Sequence, residues 1–290
     1  MGKFNNSVQL AKECMGVMRS DKELSVFPVV SFLGVLLVTA AFGVPMYFSG
    51  LLDRLQAPSG PVVADYVVLF FYYLVMYFVI IFCSSALIGA AMVRLRGGDP
   101  TLGDGMRAAG AHMGAILGYS AISATVGLVM GLISSKGGAA GRVGSAVVQT
   151  GWNILTFLAV PILVMEGVGP VQAIKRSGKL LKKTWGEQLI GSGGIGLVFG
   201  LIMLAIILLG IAFGVLAAQV ESLAVLLTVL GIVVVALAIV GLMSATLTGI
   251  YRAALYSFAT TGEVGPFFNA DVIKNAFSAK PEQSTMIGRV

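Results

Sequence analysis

The sequence predicts an all-α integral membrane protein with six transmembrane helices, and three observations support this prediction. Of the 290 residues, 57% are apolar and only 11% are charged, whereas soluble domains are about one quarter charged. Six stretches without a charged residue each exceed the roughly 20 residues that a helix needs to cross about 30 Å of hydrocarbon. Basic residues are concentrated in alternate connecting segments, as expected when positive charge is retained in cytoplasmic loops.

Each predicted span lies almost entirely inside one uncharged stretch. Several of these stretches exceed the minimum length, so we expect tilted helices or helices that extend past the interface. The predicted spans cover about residues 26–50, 66–93, 113–134, 144–166, 189–217 and 222–251.

The distribution of Lys and Arg orients the six spans. The two terminal segments and the segments after the second and fourth spans together hold 16 of the 19 Lys and Arg residues. The other side holds only Arg54, Lys136 and Arg142. Since short loops rich in Lys and Arg stay in the cytoplasm, both termini are predicted to be cytoplasmic.

Three amphipathic segments precede the first, third and fifth spans, at about residues 4–20, 100–112 and 170–186. Apolar side chains recur there at helical spacing, which predicts elbow helices lying in the cytoplasmic interface. Pro100 and Pro170 suit the first helical turn. The predicted apolar faces are Phe4, Val8, Ala11, Met15 and Met18; Leu102, Met106, Ala109, Met113 and Ile116; and Val171, Ile174, Leu181 and Trp185.

An elbow followed by a helical hairpin occurs three times, which predicts a threefold parallel repeat. The letters V-Q-x-x-K begin at Val8 in the first elbow and at Val171 in the third. The alternative is that interfacial helices precede the spans without any repeat. Residues 1–262 are predicted to form a single six-helix membrane domain, followed by a cytoplasmic tail at 263–290. No segment outside the spans is long enough for a soluble catalytic domain.

Small residues at intervals of four predict flat strips on which helices pack closely in lipid. Packing within the six-helix bundle is one interpretation, and a homo-oligomer or a membrane protein partner is the other. The residues are Gly110, Gly114, Gly118, Gly127, Gly131, Ser192, Gly196, Gly200, Gly210 and Gly214.

Groups capable of catalysis or metal binding are scarce in this sequence. Cys14, Cys83 and the single His112 give no metal-ligand spacing, and no nucleophile–base–acid set is apparent. The G-x-G-x-x-G letters at 191–196 lack the preceding strand of a dinucleotide site. The chain is therefore predicted to be no enzyme and to hold no cofactor or metal. Glu166 and Arg252 flank span ends at the cytoplasmic boundary and are a candidate ion pair.

The third elbow carries the strongest chemical pattern. Five cations fall within nine residues, next to Trp185, and predict a face for anionic lipid headgroups or for a protein partner. Each cation near an anionic surface contributes about 1 kcal/mol. The alternative is charge that only sets the topology. The five cations are Lys175, Arg176, Lys179, Lys182 and Lys183.

Residues 161–189 resemble an uncharacterised family of prokaryotic polytopic membrane proteins known as a domain of unknown function. The letters that carry the resemblance are Glu166-Gly167, Pro170, Ala173, Arg176-Ser177 and Thr184-Trp185-Gly186-Glu187. The layout is also similar to the membrane domain of some glycerophosphodiester phosphodiesterases, but no phosphodiesterase domain follows. The resemblance implies a multi-pass protein of a prokaryotic plasma (inner) membrane and supplies no substrate.

Two functions follow from these patterns. The leading one is a non-enzymatic membrane protein that organises lipid or a protein partner through a basic cytoplasmic face. The alternative is a transporter or channel for a neutral or lipid-like solute, which the repeat and the kink-forming Pro45 and Pro161 favour. A water-accessible cavity lined by Asn153 and Thr156 would support it. The net charge of +6 fits an anionic leaflet, and no nucleic-acid partner is expected.

Overall fold

The computed structural model describes residues 3–57, 60–185, 194–219, 222–263, 265–269 and 273. Within these residues it is all-helical and has no strand. The chain forms two compact units. We call Asp21–Leu181 the central unit, and Met1–Ser20 with Lys182–Val290 the terminal unit. The single six-helix domain stays a prediction.

The helices of the described residues follow one another with short connections. They are α1 (Lys3–Ser20), α2 (Val26–Phe48), α3 (Leu51–Gln56), α4 (Val63–Leu95), α5 (Leu102–Gly110), α6 (Met113–Lys136), α7 (Gly138–Leu155), α8 (Ala159–Glu166), α9 (Pro170–Trp185), α10 (Gly194–Ala218) and α11 (Leu223–Thr261). A 3₁₀ turn, Lys22–Ser25, precedes α2.

Six helical segments in the described part of the chain are long and apolar enough to cross a membrane. Their number and order confirm the prediction of six membrane-spanning helices. The fourth segment consists of two helices, because the helical conformation is interrupted between Leu155 and Ala159. The segments are Lys22–Phe48, Val63–Leu95, Met113–Ser135, Gly138–Glu166, Val198–Ala217 and Leu223–Thr261.

Helices α1, α5 and α9 stand at the positions predicted for elbows, while their place in a membrane interface and the threefold repeat stay predictions. Helix α5 begins at Leu102 rather than at Pro100. The hydroxyl oxygen of Thr101 accepts a hydrogen bond from the Asp104 N–H at 3.2 Å, and the Asp104 carboxylate accepts one from the Thr101 N–H at 3.0 Å. This capping box sets the start of the helix. The hydrogen bonds from Thr101 lower the pKa of the Asp104 carboxyl.

An arginine–carboxylate pair joins α3, in the connection of the α2–α4 hairpin, to the start of α4. Arg54 Nε and Nη2 donate to the two carboxylate oxygens of Asp65 at 2.9 and 2.6 Å. Asp65 is only 3% exposed and also accepts the Val62 N–H at 3.0 Å. Arg54 Nη1 donates to the Ser49 carbonyl at 2.8 Å. The loop after α2 is thus fastened to the start of α4 by a bidentate contact.

A second arginine–carboxylate pair closes the opposite end of the hairpin. Arg94 in the last turn of α4 donates through Nε and Nη2 to both oxygens of Asp21, which is 7% exposed. The same Nη2 lies 2.6 Å from Asp99 Oδ1. Since Asp21 directly precedes the 3₁₀ turn, this pair joins the start of the first span to the end of the second.

The core of the central unit lies at the Arg94 end of the hairpin. The second half of α4 and almost all of α8 are buried there, while Leu37 and Phe48 on α2 are exposed. Exposed apolar side chains are expected on a helix that meets lipid. Burial in this unit is therefore concentrated at the Arg94 end of the hairpin, where parts of the second and fourth spans pack together.

Glycines allow α5 to approach α4 closely. A Cβ atom at Gly105 would lie 2.6 Å from the Ala86 carbonyl oxygen and 2.5 Å from Phe27 Cζ. A Cβ atom at Gly89 would lie 2.6 Å from Ala108 Cβ. Backbones this close leave no room for side chains at these positions.

In the terminal unit, α1 packs on α10 and α11. Leu10, Cys14 and Val17 are its most buried side chains. The apolar face predicted for α1 lies next to this buried face, and Met15 and Met18 of the predicted face are only half-buried. The tertiary contact with two helices therefore selects a face that periodicity within α1 alone did not single out.

We expect Gly105→Leu to lower the free energy of unfolding by about 1–3 kcal/mol, because the new side chain would clash with Ala86 and Phe27. Gly110→Leu on the same helix is the matched control, since a Cβ atom there meets nothing within 4 Å. Thermal unfolding in detergent compares the two variants. Equal melting temperatures would contradict the close α4–α5 contact.

Candidate functional site

Helix α9 presents a buried stripe and a charged face on opposite sides. Its most buried residues are Ala173 (0% exposed), Ser177 (0%) and Leu181 (1%), which recur at intervals of four. At about 100° per residue, they cover one side of the helix. All five predicted cations are exposed, and they fall within an arc of about 120° centred opposite the stripe. We call these cations, Lys175, Arg176, Lys179, Lys182 and Lys183, the basic face.

The buried side of α9 packs against the end of the fourth span. The Leu158 N–H donates a hydrogen bond of 3.1 Å to Ser177 Oγ. A Cβ atom at Gly178 would lie 2.6 Å from Leu155 Cδ1. Helix α9 therefore folds back along the junction of α7 and α8, and protein already covers its buried stripe.

The hydrogen bond that Ser177 Oγ accepts from Leu158 forms where the helix of the fourth span is interrupted. Backbone N–H groups in the first turn of a helix have no partner within that helix, and Leu158 directly precedes α8. Pro161 lies in this first turn, where a missing N–H is tolerated. The predicted kink at Pro161 thus corresponds to a break stabilised by a side chain from α9.

The turn between α8 and α9 is narrow. Gly167 ends α8 with a left-handed backbone, φ 63°, and a Cβ atom there would lie 3.2 Å from His112 Cε1. At Gly118 a Cβ atom would lie 3.1 Å from Pro170 Cγ. The half-buried His112 therefore packs at this corner.

One cation of the basic face is engaged by the protein itself. Arg176 Nε lies 2.5 Å from Glu166 Oε2, and the Glu166 side chain is 16% exposed. Within the described part of the central unit, Lys175 and Lys179 have no carboxylate within 4.0 Å. The pair Glu166–Arg252 stays a prediction, because Arg252 belongs to the terminal unit. Lys175 and Lys179 are thus more available to an external anion than Arg176 is.

The turn between α8 and α9 and the helices around it lie within the residues that match a protein-family model. A model of a family of unknown function, DUF6159, matches residues 63–267. The chain belongs to this family. The predicted membership of an uncharacterised family is confirmed, whereas the similarity to phosphodiesterase membrane domains stays a prediction. The comparison with curated proteins gave no match.

The predicted small-residue positions of this DUF6159 chain fall into two groups. Gly118, Gly127 and Gly210 lie at helix contacts, where a Cβ atom would meet Pro170, the Tyr77 hydroxyl and Val233 at 3.1, 3.1 and 2.8 Å. A Cβ atom would meet nothing within 4 Å at Gly110, Gly114, Gly131, Gly196, Gly200 and Gly214. Ser192 lies outside the described residues.

Some functional and packing residues were not found by sequence reasoning. Ser177 is one of the residues that carry the family resemblance, but no sequence pattern predicts its hydrogen bond with Leu158. Small residues lie four positions from Gly89 (Ser85) and from Gly105 (Ala109), so the spacing rule applied to both glycines, although neither was among the predicted positions. The T-x-x-D letters at Thr101 were a readable capping signal.

The side chains that could hold a metal ion are scattered in the described part of this DUF6159 chain. Among the described residues, no three His, Cys, Asp or Glu side chains lie close enough to hold a metal ion. Cys14 and Cys83 are both buried free thiols. The absence of a cofactor and of enzymatic activity stays a prediction. The Trp185 side chain lies outside the described part of the structure.

We expect Ser177→Ala to lower the free energy of unfolding by about 1–3 kcal/mol, because the buried Leu158 N–H would lose its partner. Ser20→Ala is the control, since its hydroxyl is exposed and bonds only within its own helix. Thermal unfolding in detergent measures both. A Ser177→Ala variant as stable as the control would show that the bond does not hold α9 in place.

Proposed function

We propose that this DUF6159 protein is a non-enzymatic multi-pass membrane protein that organises anionic lipid through the basic face of α9. A protein partner with an acidic surface is the other occupant that the same charges would accept. The observation that carries the proposal is the exposure of five cations directly opposite a stripe that the protein already buries.

The buried stripe determines how α9 would meet lipid. Amphipathic helices that lie in a membrane bury their apolar face among acyl chains. Ser177 and Leu181 are instead covered by protein, so this side of α9 is not free to insert. Contact with the membrane is then chiefly electrostatic, and we expect it to weaken with rising salt.

The composition of the basic face favours recognition of lipid headgroups by their negative charge rather than by their shape. Four of its five cations are lysines, which act as point charges, whereas arginine binds phosphate in a fixed bidentate geometry. The single arginine is paired with Glu166. The face therefore fits anionic headgroups in general rather than one particular lipid. The charge bias of the loops supports a cytoplasmic location of the basic face, and the family resemblance supports a prokaryotic inner membrane.

Replacement of the five cations of the basic face by Gln tests this function. The control variant carries Gln at five exposed cations elsewhere on the predicted cytoplasmic side, namely Lys12, Arg19, Lys22, Arg96 and Arg107. Both proteins are extracted into nanodiscs from membranes containing phosphatidylglycerol and phosphatidylethanolamine, and the retained lipids are quantified by mass spectrometry. Because each cation contributes about 1 kcal/mol, we expect the wild type to be enriched in phosphatidylglycerol and the basic-face variant to lose this enrichment.

The control variant is expected to keep most of that enrichment. Equal losses in the two variants would mean that only the total charge matters, which contradicts a dedicated face. Unchanged enrichment in both would also reject lipid binding. In that case, loss of a co-purifying acidic protein only from the basic-face variant would favour the protein partner.

A second candidate function, a pathway for a neutral solute, is favoured by a polar stripe on α7. Gln149, Asn153 and Thr156 recur at helical spacing, and Gln149 Nε2 lies 3.0 Å from Asn153 Oδ1. Asn153 is exposed. Polar side chains within a span usually face other helices or a water-filled cavity, so the stripe supports such a pathway.

Single cysteines in place of Lys136, Lys179 and Asn153 test the topology and this pathway together. A membrane-impermeant maleimide should label position 179 only from the cytoplasmic side and position 136 only from the other side. The native cysteines are buried, which keeps the background low. Labelling of position 153 would support a water-filled pathway, and its absence would count against the second function. Labelling of 136 and 179 from the same side would overturn the six-span topology.

A further inference from the structure

A cavity of about 520 Å³ lies in the central unit at the Arg54 end of the α2–α4 hairpin. The residues that line it belong to α3, the connection after α3, α4 and α6, so the cavity is separate from the basic face of α9. Its volume falls within the range of small-molecule sites, roughly 300–1,000 Å³. By the predicted topology it would open on the non-cytoplasmic side.

Two walls and a roof form the cavity. Tyr66, Leu69 and Tyr73 share one face of α4 and form the first wall. Leu55 and Pro61, from α3 and the connection that follows it, form the roof. The Arg54–Asp65 pair fastens this connection to α4, which holds the roof in place.

Two glycines one turn apart on α6 explain why the second wall stands away from the first. At Gly127 the helices touch, since a Cβ atom there would lie 3.1 Å from the Tyr77 hydroxyl. At Gly131 a Cβ atom would meet nothing within 4 Å. The Tyr77–Gly127 contact closes the floor, and the helices diverge above it. Leu128, Leu132 and Ser135 complete the α6 wall.

The residues that line the cavity determine which kind of ligand it could bind. None of the described residues that line the cavity is charged at neutral pH. Leucines surround the body of the cavity, while the tyrosine hydroxyls of Tyr66 and Tyr73 have no hydrogen-bond partner among the described residues. The Tyr73 ring is held by stacking on Tyr77, with ring centroids 6.3 Å apart.

We propose that this cavity binds a neutral amphiphile with an apolar body and a hydroxyl or carbonyl group. The leucines cover the apolar body, and Tyr66 and Tyr73 offer hydrogen bonds to the polar end. A charged headgroup is disfavoured, because the lining supplies no counter-ion and burial of an unpaired charge is costly. The site is independent of the function proposed for the basic face. The ligand comes either from the bilayer or from solution.

Photolabelling in phosphatidylcholine nanodiscs tests the site. The first probe is diazirine-bearing hexadecanol, which represents a bilayer source, and the second is a diazirine-bearing phenol, which represents a water-soluble source. We expect labelled peptides from 55–73 and 128–135, identified by mass spectrometry. Unlabelled hexadecanol or propylphenol should compete, and hexadecanoate, with the same chain and a carboxylate, should compete less.

Gly131→Leu is expected to reduce the labelling about ten-fold, because the leucine side chain would fill the cavity. Gly114→Leu on the same helix is the matched control and should label like the wild type, since its Cβ position is equally open. Tyr73→Phe keeps the ring and removes the hydroxyl, so we expect a loss of about five-fold. This variant tests the site even if Gly131→Leu does not fold.

The outcomes separate the sources and can reject the site. Labelling by hexadecanol alone assigns the ligand to the bilayer, and labelling by the phenol alone assigns it to solution. Labelling of these segments by neither probe overturns the proposal. It is also overturned if Gly131→Leu and Tyr73→Phe label as strongly as the control, or if hexadecanoate competes as well as hexadecanol.

Discussion

In a chain that crosses hydrocarbon, polar groups at the span ends and at helix breaks need partners within the protein, and the central unit depends on this constraint. Buried Asp65 and Asp21 each receive a bidentate arginine, one at either end of the first hairpin. The buried Leu158 N–H, at the break in the fourth span, donates a hydrogen bond to Ser177 Oγ. Each contact joins an interhelical connection to a span, so satisfying the polar groups also positions the helices.

The same contacts separate the two proposed sites. Ser177 holds the buried stripe of α9 against the α7–α8 junction, which directs the lysines away from the protein. At the far end of the hairpin, Arg54 holds the roof of the cavity, while Gly127 and Gly131 set the distance between α4 and α6. The proposed charged surface on α9 and the proposed neutral cavity between α4 and α6 are thus formed by different helices, and they would take ligands of different charge.

The presence and order of the helices were predictable, because hydropathy and charge patterns can be read from residues that are close in sequence. The Pro170 start of α9 and its basic face followed from local rules, namely the helical period and the preference of proline for a first turn. The buried face of α1 did not follow, since packing on α10 and α11 selected Leu10, Cys14 and Val17. The start of α5 was displaced by a capping box at Thr101 that the proline signal obscured.

The sequence by itself determined that the chain has six helices apolar and long enough to cross a membrane and an uneven distribution of charge, because solvation by lipid depends on residue type and segment length. Only the tertiary structure decided which polar groups pair and where the helices separate. Arg176 pairs with Glu166, and only some of the regularly spaced small residues, such as Gly127, lie at a close helix contact. Such choices depend on distances between segments remote in sequence. Periodicity within one helix carries no information about those distances.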